Sequence, residues 1–99
     1  MFNVVIGLDI SKSWIDATLA FRFGSDTEYV RVPNAPKGFQ QLIKMVERRK
    51  LSQDELVFCL EHTGHYTYKL CAFLAEKGWT YSLINPLQIK RSMGIVRGK

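Results

Sequence analysis

No apolar stretch in this chain approaches the roughly 20 residues that a membrane helix needs, and no basic-then-apolar leader opens it. A cytoplasmic protein with no membrane partner is the expectation. Cysteine is scarce as well. Cys59 and Cys71 both lie inside apolar segments, where they read as small core residues, and no zinc-ligand spacing surrounds either of them. Internal repeats, low-complexity tracts and linkers are also missing, so the 99 residues are expected to form one domain, 1–99. Apolar residues at 46% and charged residues at 23% are near the globular average, which excludes a disordered tail, a collagen-like repeat and a coiled-coil rod.

The remaining scarcity is of one charge sign in one place. From Lys77 onward the chain carries Lys77, Lys90, Arg91, Arg97 and Lys99 but no acid, whereas the residues before it are balanced. The whole net charge of +5 therefore sits in the C-terminal segment. A basic segment on a neutral body attracts polyanions, most economically nucleic acid; a plain solubility tail is the other reading.

The apolar pattern gives the elements. Val4 to Ile10 is a β-branched run of the kind buried on both faces of a sheet, followed by a turn at Ser11-Lys12-Ser13. Trp14 to Phe23 alternates apolar and polar residues, and Gly24-Ser25-Asp26 ends it. Thr27 to Val32 reads as a third strand closed by Pro33. From Pro36 the period becomes 3.6, with a stripe at Phe39, Leu42, Ile43 and Val46 in a helix running to about Arg49. Leu56 to Glu61 is the second continuous apolar run. A helix from Tyr66 to Lys77, with Leu70, Phe73 and Leu74 on its face, is capped by Gly78. Thr80 to Ile84 is a further strand, Asn85-Pro86 breaks it, and Leu87 to Met93 starts another short helix. The order β-β-β-α-β-α-β specifies an α/β fold, a mixed sheet with helices on the sheet faces.

Both continuous apolar strands end in an acid, Asp9 and Glu61. If the two strands are parallel neighbours about 4.8 Å apart, the carboxylates converge and repel unless a divalent cation lies between them, and hard oxygen ligands favour Mg2+ or Mn2+. The other reading is that they cap turns or pair with Lys12 and Lys69. Asp16, on an alternating strand, reads as a solvated or turn-facing acid. His62 and His65 have a metal-pair spacing but no third soft ligand, so they read as loop histidines. Thr63 is a candidate N-cap for the second helix, and Tyr66 reads as core, with stacking on a nucleotide as the other reading. Lys90 and Arg91, backed by Arg97 and Lys99, are candidates to neutralise phosphates, with a solvated basic face as the other reading.

Four blocks in order resemble a known family: Gly7-Leu8-Asp9-Ile10-Ser11-Lys12, Val32-Pro33-Asn34 with Gly38-Phe39, Glu61-His62-Thr63-Gly64-His65-Tyr66, and Asn85-Pro86-Leu87-Gln88-Ile89-Lys90 with Gly94. Together they are similar to the amino-terminal domain of DEDD transposases of the one-hundred-and-ten insertion-sequence family, which includes pilin-gene inverting recombinases and bridge recombinases. The resemblance implies a RuvC-like, ribonuclease-H-like fold and an acidic tetrad that binds Mg2+ or Mn2+ for DNA strand cleavage and transfer. Asp9 matches its first acid and Glu61 its second, as catalytic and metal ligands; Lys12 falls with the nucleic-acid-binding residues Lys90, Arg91, Arg97 and Lys99. The family pattern puts the last two aspartates after Lys99 and a serine nucleophile in a carboxy-terminal domain, so this chain is expected to be truncated, inactive by itself and weak in metal binding. DNA, a structured noncoding guide RNA and a homo-oligomer are the implied partners. Two alternatives stand beside it: the first phosphate loop of an actin-like sugar kinase, from Gly7 to Ser13, and a non-enzymatic RNA-binding and dimerisation module.

Overall fold

The computed structural model describes residues 2–22, 27–61 and 66–84, with Glu61 and Ile84 as backbone positions. The elements follow in the order β1 (Val4–Ile10), β2 (Trp14–Phe21), β3 (Thr27–Pro33), α1 (Pro36–Arg48), β4 (Leu56–Glu61), α2 (Tyr68–Lys77) and β5 (Tyr81–Ile84). They build a mixed five-stranded sheet ordered β3-β2-β1-β4-β5. The two runs that read as buried on both faces, β1 and β4, are its centre and pair in parallel. The alternating segments β2 and β3 form an antiparallel meander on one side, and β5 joins β4 in parallel on the other. Among the described residues no helix is long and apolar enough to cross a membrane.

Register explains which side chains make the core. Ile6 stands beside Leu19 on β2 and Phe58 on β4, and Leu8 beside Ala17 and Leu60, so these residues share one face of the pleat. Phe39, Leu42, Met45 and Val46 of α1 and Leu70 and Leu74 of α2 join that same cluster. Each such side chain contributes roughly 1.5–3 kcal/mol relative to exposure. Both described helices thus cover one face, where the sequence reading distributes helices over the sheet faces; the expected helix from Leu87 to Met93 lies outside the described residues. The helices meet through Phe39 and Phe73, whose ring centroids are 5.4 Å apart, and Trp79 meets Phe58 edge-on at 6.0 Å.

Two details correct the expected helical faces. Met45 is buried and Ile43 only partly so, which rolls the face of α1 toward Gly38, Leu42 and Met45. Gly38 is part of that face: a Cβ built there would lie 1.8 Å from the Pro33 carbonyl oxygen, so only glycine lets the first turn of α1 meet the end of β3 this closely. In α2, Leu70 and Leu74 are buried and Phe73 is intermediate. Gly78 ends α2 as its spacing predicts, at φ 83, with the Trp79 N–H donating to the Leu74 carbonyl at 2.9 Å. Cys59 is buried, Cys71 partly so, and both are free thiols that burial pushes above their ordinary pKa.

Candidate functional site

The pairing of β1 with β4 determines where the two strand-ending acids stand. Leu8 and Leu60 are register partners, and Asp9 and Glu61 are the next residue of each strand. The two positions therefore sit side by side at the C-terminal ends of parallel central strands, about 4.8 Å apart along the hydrogen-bonding direction. In open α/β sheets this edge is where ligands bind. Asp9 is exposed, and no ion pair to it occurs among the described residues, including Lys12 and Lys69.

On its other side Asp9 faces a third acid, since its antiparallel partner on β2 is Asp16. Directly opposed residues share a face, so two carboxylates stand against each other there. The fold neutralises one of them. Arg31, the β3 partner of Asp16, donates from Nε at 2.8 Å and from Nη2 at 3.2 Å, and the Tyr29 hydroxyl donates to the same carboxylate. These hydrogen bonds, Arg31's foremost, hold the Asp16 carboxyl below the usual carboxylate range. The Arg31 guanidinium also lies 5.7 Å over the Trp14 ring. Asp16 is therefore a bridged acid rather than the solvated one the alternation suggests, and Asp9 is the open one.

A depressed native pKa makes the Asp16 bridge stabilising above the ordinary carboxylate pKa, an effect lost as pH falls through the lowered native value. Arg31→Ala is accordingly expected to lower the melting temperature slightly at neutral pH. The difference from the parent should shrink with added salt and vanish in strong acid. Thermal melts across pH and ionic strength check this; a deficit that persists in acid would assign Arg31's effect to packing instead.

Beside the acids lies a pocket of about 310 Å³ lined by Lys12, Asn34, Tyr66, Tyr68 and Lys69. Lys12 comes from the tight β1–β2 turn, which Ser11 closes by donating its hydroxyl to the Trp14 carbonyl at 3.1 Å and accepting the Trp14 N–H at 3.2 Å. Tyr68 and Lys69 open α2. Asn34, between β3 and α1, ties these pieces together: its side-chain amide donates to the Ser11 carbonyl at 2.8 Å and the Tyr66 carbonyl at 3.1 Å, and its backbone N–H donates to Ser13 at 2.9 Å. Neither Asn34 nor the pairing of Lys12 with Lys69 around one cavity is visible as a site in the sequence, because the three segments are distant along the chain. The one available cue is a two-donor amide between a strand-closing proline and a helix.

Two expectations are corrected here. Tyr66 is exposed, not core. The N-cap of α2 is Thr67, not Thr63, and its side chain makes no capping bond. His62, His65, Thr63, Lys90, Arg91, Arg97 and Lys99 lie outside the described residues. Among the described residues no group of three or more His, Cys, Asp or Glu is placed to hold a metal ion.

Comparison with known proteins bears directly on this edge. No curated protein matches the chain. A transposase family profile does match, over residues 6–99, a span that includes most of β1 with Asp9, the Pro33-Asn34 junction with Gly38, and β4 with Glu61. The sheet, with an acid ending each of its two central parallel strands, is compatible with that assignment, and the chain belongs to the DEDD transposases of the IS110 family.

Proposed function

We propose that the chain is the amino-terminal, RuvC-like catalytic portion of a site-specific DNA recombinase of an insertion element, in which Asp9 and Glu61 help hold a divalent cation for strand cleavage and transfer. The observation that carries this reading is the placement of the two acids one step beyond the Leu8–Leu60 pair of adjacent parallel strands. The donor set fits the ion: two hard carboxylates suit Mg2+ or Mn2+, which keep several waters and bind through one or two carboxylates plus substrate phosphate. Asp9 is open to solvent, while its neighbour Asp16 is engaged by Arg31 and Tyr29. A metal bound there would activate a nucleophile and stabilise charge on the phosphate. The role of the chain's own residues is to supply two carboxylates from neighbouring positions on a rigid sheet edge.

With only Asp9 and Glu61 as assigned ligands, weak cation binding is expected. DNA is the substrate in this reading, with a structured guide RNA and a second copy of the protein as partners. Lys90, Arg91, Arg97 and Lys99 serve as phosphate-neutralising cations of the basic segment. The phosphate-loop alternative at Gly7 to Ser13 gains no support from the family match.

Mn2+ titration followed by amide NMR tests the assignment. Paramagnetic broadening should centre on the backbone of Asp9 and Glu61, and Asp9→Asn should weaken it severalfold. Broadening centred elsewhere, or tight binding by this chain alone, would overturn it.

A further inference from the structure

We infer that the pocket beside Asp9 is a subsite for a single-stranded segment of nucleic acid, in which Lys12 and Lys69 hold a backbone phosphate and Tyr68 stacks a base. The inference rests on the nucleic-acid reading above and adds the place, the residues and the strandedness.

The first argument is charge that the fold does not use. Arg31 and Arg49 are each held by a carboxylate, Asp16 at 2.8 Å and Glu28 at 2.6 Å. Lys12 and Lys69 line the same cavity, and among the described residues no acid lines it and no ion pair engages either lysine. Two cations on one cavity wall repel each other unless an anion lies between them. The second argument is size. At about 310 Å³ the pocket is at the lower end of small-ligand sites, the scale of one nucleotide. The third is the aromatic ring. Tyr68 is 81% exposed on the first turn of α2, and an exposed ring next to paired cations is the arrangement that binds unpaired bases. Position supplies the rest: Lys12 lies in the turn that leaves the Asp9 end of β1, which puts the pocket at the same C-terminal end of the sheet as Asp9.

Fluorescence anisotropy on the full chain tests this, using a labelled oligothymidylate, an oligouridylate, an abasic strand and a duplex of equal length. Lys12→Ala combined with Lys69→Ala should flatten the slope of log affinity against log salt by about 0.7, one phosphate contact on a single strand. Tyr68→Ala should weaken oligothymidylate and oligouridylate about 10-fold, Tyr68→Phe should restore binding, and neither should matter for the abasic strand. Circular dichroism melts matching the parent exclude misfolding. Equal affinity of parent and variants for the strands overturns the subsite while leaving the nucleic-acid reading intact. Failure of the parent to bind any strand overturns both. Duplex binding as tight as single-strand binding, or displacement of the strand by free mononucleotide at equal concentration, also overturns the proposal.

Discussion

On the proposed reading, in which Asp9 helps hold a divalent cation, Asp9→Asn is expected to reduce DNA strand cleavage by a transposase carrying this domain by about 10³-fold or more while leaving the fold intact, since charge stabilisation by a positioned metal supplies several kcal/mol. The amide keeps the shape of the carboxyl group and removes the charge that the cation needs. Stability should move in the opposite direction. Asp9 faces Asp16 across the β1–β2 pair, and like charges directly opposed on a sheet are unfavourable, so the melting temperature should hold or rise slightly. A cleavage assay alongside thermal melts separates the two effects. Near-parental cleavage would remove Asp9 from the chemistry, and lost cleavage with a lower melting temperature would make its role structural.

The largest loss of stability is expected at Gly38→Ala. The added methyl would sit 1.8 Å from the Pro33 carbonyl oxygen, and that neighbour is backbone, unable to turn away as a flexible side chain would. Ordinary overpacking costs about 1–3 kcal/mol, and a backbone clash belongs at or beyond the upper end of that range. For a domain of this size, about 3 kcal/mol corresponds to a fall in melting temperature of roughly 12–24 °C. Gln40→Ala, on the exposed side of the same helix, is the control and should change little. A Gly38→Ala variant that melts with the parent would mean that α1 slides away from β3 at little cost.

Much of this architecture is legible along the chain. The continuous runs Val4 to Ile10 and Leu56 to Glu61 betray central strands because burial on both faces leaves no room for alternation. The change of period after Pro33 marks α1, and Gly78 marks the end of α2. What escapes is anything decided by register or by close approach. That Asp16 belongs to Arg31 and Tyr29 depends on how β2 and β3 pair, and alternation gives a residue's face but not its neighbour. The close approach of α1 to β3 depends on a missing Cβ at Gly38, whose effect appears only when Pro33 is brought next to it. That the strands ending in Asp9 and Glu61 are parallel neighbours was legible only as a condition, because pairing partners are not written in either run, and the sheet order meets it.

Asn34 has one further consequence. With both protons of its amide donated to carbonyls from two other segments, it works as a rivet through three layers: the turn after β1, the approach to α1 and the entrance of α2. Displacing Asn34 would therefore strip the turn after β1 and the entrance of α2 of a partner at once, which couples the opening of those two segments to the start of α1.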